Sequence, residues 1–472
     1  MKATPLPPLL KVLLVLPYEP APFMQADIAI LDRHFELDTI THNRGKRRLF
    51  LSVARRLLFD RPDVLLMWFI VPSYALALTL MAKVCGVKVA FITGGYDVVS
   101  MPRIGFGAMR FPLFRGMLRP TLALADLVLP FSEAAAQHVA KYSRARHVTV
   151  LYPGVDTVFF TPPPPGSQRE PLALTVSPVI KESIAQKGLD TFVAAARLAP
   201  EIRFVLVGTS PDGSLESLRR GAPSNVEFID RFLPAIELRE LYRRASCYVQ
   251  ASRHEGFGVA VAEAMACGAV PVVTQRFSLP EVTGGLGQYI PVGDAVATAA
   301  AVRESSRIPT PARMALRKRV MTHFPLARRE TELVTLLLGL APGRRRLSVE
   351  ATIHAPIKLD LGCGSLERPG FIGIDARPTR ATRIVADAQQ LPLGPGMADE
   401  IFATCLLEHF DAPTQVLDEV HRVLKPTGRA VLRLPNLGTY SSHLDTTHRF
   451  LADLSLWRTL FNGYFHQVEV RP

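Results

Sequence analysis

The stretch Ser252-Arg253-His254-Glu255-Gly256-Phe257-Gly258-Val259-Ala260-Val261-Ala262-Glu263-Ala264-Met265-Ala266-Cys267-Gly268 constrains this chain more than any other. One short apolar run, Cys247-Tyr248-Val249-Gln250, precedes it and another, Val270-Pro271-Val272-Val273, follows. Between two such strands, the small residues after Gly258 predict a helix ending near Gly268, with a glycine-flanked loop at its head. N–H groups of that loop and of the first helical turn have no intrahelical partner, so together they can hold an anion. Glu255 falls in the loop and Glu263 in the helix, placing two acceptor carboxylates beside one anion site. A sugar nucleotide has the matching shape, with hydroxyls at both ends and a diphosphate between. The same residues, taken alone, also describe an ordinary strand–loop–helix unit with two solvated glutamates.

The surrounding sequence repeats this alternation. Lys11–Leu16, Val64–Phe69, Lys88–Thr93, Leu124–Pro130 and Val148–Leu151 read as strands, with helices over Gln25–His34, Tyr74–Cys85 and Glu133–Lys141. Such a βαβ rhythm predicts a parallel, doubly wound sheet that binds ligands at the C-terminal ends of its strands. Tyr152-Pro153-Gly154-Val155-Asp156 closes the series and Pro162–Gly166 is a stiff spacer. A second series follows, with strands at Leu172–Val176, Arg203–Val207, Val226–Ile229, Cys247–Gln250 and Val270–Val273, and a long helical stretch over Met314–Leu340. Pro342-Gly343-Arg344-Arg345-Arg346 then reads as a linker. The expected domains are residues 1–165, 166–341 and 356–472, with a linker over 342–355.

The first two domains resemble the family 4 retaining glycosyltransferases of GT-B fold, a pair of Rossmann-like halves. Glu255 and Glu263 match the family's E-x7-E signature within EGFG, and Ala125-Asp126-Leu127-Val128 with Ser132-Glu133 resembles its first-domain pattern. Lys181 and Lys187, placed on the loop after the strand, keep the six-residue spacing of the Arg and Lys that clasp the donor diphosphate in the family. A lysine at the first position keeps the charge and loses the bidentate fork. The resemblance implies donor contacts at Gly208, Gly256, Phe257, Gly258 and Glu263, with Arg231 and Phe232 near the base. It also implies a leaving group stabilised by Lys181, Lys187 and the helix terminus without a metal. Two departures stand out. The loop Pro17–Pro22 lacks the family's glycine pair, and Gly94-Gly95-Tyr96-Asp97 stands where relatives carry a histidine. There Asp97 or Tyr96 serves the acceptor hydroxyl, or Asp97 caps the next segment.

The last domain opens with Ile357-Lys358-Leu359-Asp360-Leu361-Gly362-Cys363-Gly364, a strand ending in a tight glycine turn. Strands ending at Asp375 and near Asp387 follow, then Ile401–His409 and Arg422–Gly428. This run resembles class I S-adenosylmethionine-dependent methyltransferases. The resemblance implies that Asp360, Gly362 and Gly364 hold the methionine moiety of S-adenosylmethionine, Asp375 the ribose and Asp387 the adenine. Residues 365–370 are too few for a crossover helix, which needs about 10–12 residues with its turns. The chain also stops too soon after Phe465–Val470 for the family's last antiparallel strand. His443 and His448 stand where acceptor contacts are placed in related enzymes, His409 after Glu408 is a further candidate for the methyl-acceptor site, and each is equally a loop residue without a role.

The net charge of +13 is concentrated in the first domain, at Arg44, Lys46, Arg47, Arg48, Arg55, Arg56, Arg61, Arg103, Arg110, Arg115 and Arg119, interleaved with Leu and Phe. That surface suits anionic lipid headgroups or an anionic acceptor, or it is a solvated basic face; no nucleic-acid motif accompanies it. The five scattered cysteines fit a reducing compartment and no zinc site. The longest apolar run, Val64–Met81, is broken at Pro72-Ser73-Tyr74, favouring a buried strand and helix over a membrane span. Taken together, the expectation is an α/β bifunctional enzyme: a glycosyltransferase joined to a methyltransferase. It would be cytoplasmic or peripheral on the membrane and would act on a glycan or lipid-linked acceptor. The alternatives are an S-adenosylmethionine sensor, or a docking module using the free sheet edge of the last domain, an edge that would also serve an oligomer.

Overall fold

The computed structural model describes residues 9–42, 45–164, 166–341, 357–394, 396–434, 454–465 and 468. The chain divides into two compact units, Met1–Val349 and Glu350–Pro472.

The first unit contains two parallel sheets. In one, β1 (Lys11–Leu16), β2 (Glu36–Thr41), β3 (Val64–Trp68), β4 (Lys88–Thr93) and β5 (Leu127–Pro130) lie in the order β2-β1-β3-β4-β5. β1, β3 and β4 bury side chains on both faces, which is why they read as continuous apolar runs. β2 is a half-exposed edge strand with alternating polar residues. The expected strand at 148–151 makes only a single bridge, from Val148 to Val128, because Pro130 has no N–H with which to extend the ladder.

Helices Lys46–Arg55, Ala75–Val84 and Pro112–Leu124 cover one face of this sheet. Leu49, Val53, Leu78, Ala82, Leu118 and Leu122 pack there onto Leu13, Val15, Leu65, Met67, Val89 and Phe91. The opposite face shares a core with the second sheet. That sheet holds β6 (Glu170–Val176), β7 (Arg203–Val207), β8 (Val226–Ile229), β9 (Ala245–Gln250), β10 (Val270–Thr274) and β11 (Gln288–Ile290). Their order is β11-β10-β9-β6-β7-β8.

The stretch 314–340 is two helices, Thr310–His323 and Leu326–Leu338, and not one. Pro325 breaks it, lacking an N–H and excluding helical geometry from the residue before it. The second helix returns to the first half. There Arg329 pairs with Asp27 of helix Pro22–His34 at 2.5 and 2.6 Å and donates to the carbonyls of Leu151 (3.1 Å) and Tyr152 (2.8 Å). Both side chains are buried.

The second unit is a parallel sheet of β12 (Lys358–Leu361), β13 (Ile372–Asp375), β14 (Thr382–Val385), β15 (Ala398–Thr404) and β16 (Leu424–Arg433), ordered β14-β13-β12-β15-β16. Leu359, Leu361, Ile374, Ile401 and Ala403 pack under Val416, Leu417 and Val420 of helix Pro413–Val423. Only turns join β12 to β13, so the short connection carries no crossover helix. The linker 342–355 lies outside the described residues, as does the tail after Phe465 except Val468.

Candidate functional site

β9 ends at Gln250 and the loop beyond it runs to Gly258, whose φ of +98° turns the chain into helix Val259–Ala266. Within the loop, one oxygen of Glu255 receives Lys187 Nζ at 2.7 Å, Gln250 Nε2 at 3.2 Å and Ser252 Oγ at 3.4 Å. Gln250 is fixed in turn by the Tyr248 hydroxyl (3.2 Å) and by its own amide donating to Ser252 (2.6 Å). Lys187 is positioned by close packing: a Cβ on the following Gly188 would fall 2.2 Å from the Ala251 carbonyl oxygen. The ammonium–carboxylate pair therefore sits, mostly shielded, above the C-terminal ends of adjacent strands β6 and β9.

Lys181 does not join this pair. Lys181 and Lys187 are the first and last residues of one helix rather than members of a loop, and Lys181 stays exposed while its backbone N–H caps Asp212 at 2.9 Å. Six helical residues carry the two lysines about 9 Å apart along the axis. Glu263 receives the Tyr242 hydroxyl at 3.1 Å. Desolvation pushes its carboxyl up to about 7 against that hydrogen bond.

The ring of Phe257 is turned away from the loop. Its ring is buried in the core, 5.1 Å from that of Phe324 and 6.0 Å from that of Tyr152, so only its backbone faces the loop. Gly208 has a structural reason to be glycine: a Cβ would lie 1.9 Å from the Ser177 carbonyl oxygen. Arg231 pairs with Glu237 at 2.6 Å and lines a cavity of about 310 Å³ at the end of β8, with Phe232 exposed beside it.

The first half meets this loop through backbone. Any Cβ on Gly256 would fall 1.8 Å from the Gly94 carbonyl oxygen, and one on Gly95 would fall 2.8 Å from His254 Cε1. Asp97 is buried behind this contact, accepting from the N–H groups of Gly95 (3.0 Å) and Ile70 (3.1 Å). Burial pushes its carboxyl up to about 6, opposed by those hydrogen bonds. Asp97 therefore shapes the Gly94–Gly95 turn, as a cap would, while Tyr96 is exposed.

His254, Ser132 and Glu281 were not singled out by sequence reasoning. Ser132 Oγ donates to the Gly256 carbonyl (2.9 Å), and Glu281 accepts from the Tyr152 hydroxyl (2.6 Å) and the Glu133 N–H (2.9 Å). His254 is buried against the tilted ring of Phe106 (5.1 Å) and the edge-on ring of Phe277 (4.3 Å), and burial drives its pKa down to about 3, so the ring is neutral. The residue signal lay in His254-Glu255 and Ser132-Glu133, but nothing local marks them as contacts between halves.

In the second unit, Gly362 and Gly364 take positive φ (+64° and +53°), and space is open above Gly364. Asp375, at the end of β13, accepts from the N–H groups of Gly364 and Arg377, both at 2.9 Å. Asp387 is exposed beyond β14, receiving the Gln389 N–H. Asp375 and Asp387 thus lie at the strand ends to which the resemblance assigns the ribose and the adenine, and Gly362 and Gly364 in the turn to which it assigns the methionine moiety. At the methionine end, Asp360 already receives Arg368 Nε at 3.2 Å, and that guanidinium stacks 3.4 Å from the Phe402 ring centre. Glu408 is fully buried with neither oxygen hydrogen-bonded among the described residues, next to the half-buried His409. His443 and His448 lie outside the described residues. Among the described residues no cluster of three or more His, Cys, Asp or Glu is placed to hold a metal.

Two coupled Rossmann-like sheets with a loop-and-helix ligand site at their strand ends define the GT-B class, and comparison with solved structures agrees. Anabaena Alr3699/HepE in complex with UDP-glucose aligns with a TM-score of 0.56 at 16% identity, over 70% of this chain and 99% of that one. Sucrose-phosphate synthase from Thermosynechococcus elongatus aligns with a TM-score of 0.55 at 17% identity, over 70% and 99%. Residues 170–306 match the family described as Glycosyl transferases group 1, and residues 359–432 match Methyltransferase domain. The chain thus carries a glycosyl transferases group 1 segment within a GT-B fold, followed by a methyltransferase-domain segment. Curated relatives include alpha-maltose-1-phosphate synthase of Mycolicibacterium smegmatis, 29% identical over 35% of this chain and 47% of that protein. Another is D-inositol 3-phosphate glycosyltransferase of Segniliparus rotundus, 30% identical over 34% and 39%. The chain spans less than half the length of these curated relatives.

Proposed function

We propose that the first unit transfers a sugar from a nucleotide donor, with retention at the anomeric carbon, to a surface-glycan or lipid-linked acceptor. We propose further that the second unit methylates the same class of product. The observation that carries the first reading is the Lys187–Glu255 pair at the head of helix Val259–Ala266, closed over by Gly94 and Gly95. Lys187 and the helix's free N–H groups stabilise the departing diphosphate, and Glu255 accepts from sugar hydroxyls. The sugar C1–O bond to the diphosphate breaks, a bond to the acceptor oxygen forms, and the acceptor proton leaves with the phosphate. In this reading Glu263 accepts from hydroxyls at the other end of the donor. A cytoplasmic enzyme at the membrane's inner face fits the five free cysteines and the basic first half. Among the described residues no helix is long and apolar enough to cross a membrane.

In the second unit, S-adenosylmethionine when bound supplies an electrophilic methyl group. Asp375 and Asp387 hold its adenosine and the Gly362–Gly364 turn admits it closely. One observation favours a second reading, in which this unit binds the cofactor as a sensor or docks a partner along β14: Asp360 is already neutralised by Arg368.

The test is calorimetric titration of the full chain with nucleoside diphosphates, UDP-glucose and S-adenosylhomocysteine, alongside turnover of Glu255→Ala. The expected result is one nucleotide site, one S-adenosylhomocysteine site, and an inactive but folded variant. Unchanged turnover in Glu255→Ala, or no nucleotide binding, overturns the transferase reading.

A further inference from the structure

The three helices that cover one face of the first sheet, Lys46–Arg55, Ala75–Val84 and Pro112–Leu124, contain no acidic residue. They carry seven basic ones: Lys46, Arg47, Arg48, Arg55, Lys83, Arg115 and Arg119. Lys83 is consumed by Asp126, but Lys46, Arg47, Arg48 and Arg55 are exposed and make no ion pair among the described residues. Arg61, just beyond, is exposed too.

Their outward faces are apolar where a water-facing layer would be polar. Leu51 is 62% exposed, Leu58 58%, Phe59 78%, Val84 88% and Leu113 72%. Helix Lys46–Arg55 shows the arrangement best. Leu49 and Val53 point into the core with Leu57 of the following turn, while Arg47, Arg48, Leu51, Arg55, Leu58 and Phe59 make the opposite stripe. A π-helical turn, Arg56–Asp60, carries Leu58 and Phe59 outward at its end.

We infer that this three-helix face docks onto a bilayer containing anionic lipid, with Leu51, Leu58 and Phe59 entering the headgroup boundary and the arginines meeting lipid phosphates. Charge complementarity names the occupant. The seven cations of these helices outweigh the exposed Asp60 that ends the π-helical turn, so the layer attracts an anionic surface, and large apolar side chains between the cations gain nothing from a nucleic-acid backbone but do gain from an acyl boundary. Arg56 and Lys83, paired with Asp38 and Asp126, hold the scaffold and not the lipid. The inference rests on the transferase reading for its purpose, bringing the enzyme to a lipid-linked acceptor, but not for its physical basis.

The experiment is cosedimentation of the full chain with phosphatidylcholine vesicles, with and without about one-third phosphatidylglycerol. Binding is expected only to the anionic vesicles, weakening with salt. Leu58→Glu/Phe59→Glu should weaken it about tenfold. Arg47→Gln/Arg48→Gln should weaken it about fivefold per charge. All four side chains are exposed, so the variants keep the parent melting temperature and nucleotide binding. No vesicle binding, or binding indifferent to Leu58 and Phe59, overturns the inference. Equal competition by duplex DNA overturns it too, showing a generic polyanion patch. Nucleotide titration on the same preparation separates the two ideas: loss of nucleotide binding with vesicle binding intact would sink only the transferase reading.

Discussion

Gly256→Ala probes the contact on which the transferase site depends. The added Cβ would lie 1.8 Å from the Gly94 carbonyl oxygen, whereas ordinary contact begins at 3.4 Å, so the loops must part by about 1.6 Å there. Both partners are backbone, so no side-chain rotation relieves the clash. Neither loop yields easily: Asp97 holds the Gly95 N–H at 3.0 Å and Ser132 holds the Gly256 carbonyl at 2.9 Å. A displacement of about 1 Å between reacting groups can cost on the order of 100-fold in rate, so turnover should fall by about that much or more. Nucleotide affinity should fall less than turnover: Gly256 belongs to the anion-holding loop, but Lys187 and helix Val259–Ala266 lie outside the contact. The assay is steady-state turnover of whichever sugar nucleotide binds, with calorimetric affinity and thermal melting measured in parallel. Gly116→Ala, where nothing lies within 4 Å of the new Cβ, is the control. Turnover of folded Gly256→Ala within about threefold of the parent would refute the closed contact as a catalytic requirement.

Three further outcomes are expected. Arg329→Met should cost about 3–5 kcal/mol in chemical denaturation by stranding Asp27, and Asp27→Leu added to it should recover part of that loss. Burial raises the Glu263 carboxyl from its ordinary value of 4.5 to about 7 in the folded state, so its contribution is full below 4.5 and lost as pH rises through 7. Denaturation midpoints should therefore fall across that window, and less so in Glu263→Gln. Arg368→Ala should free Asp360 and tighten S-adenosylhomocysteine binding by up to about fivefold, leaving 5′-methylthioadenosine, which lacks the amino acid, unchanged. Weaker S-adenosylhomocysteine binding would show instead that Arg368 is part of the cofactor site.

What could be read from sequence and what could not divide along a physical line. β1, β3 and β4 were legible because burial on both faces leaves an unbroken apolar run, while β2 and β11 were not, being short edge strands with polar faces. Glu255 and Lys187 were legible as charges beside a glycine loop, and the structure pairs them. The loop expected to carry Lys181 and Lys187 is a helix, because a spacing of six says nothing about which lies between, and a helix turns that spacing into separation along an axis. The direction of the Phe257 ring was hidden for a related reason. An aromatic residue between two glycines has no local rule for its direction, and Tyr152 and Phe324, remote in sequence, turn it inward. Gly94 and Gly95 are the sharpest case. From sequence they marked only a missing histidine, yet a side chain on Gly256 would have nowhere to go because the Gly94 backbone is already there. The need for glycine at either position arises only when residues about 160 apart are brought together, so no single stretch can reveal it. Charged groups announce a site's chemistry locally, whereas the glycines that let two halves close over it acquire meaning only in pairs.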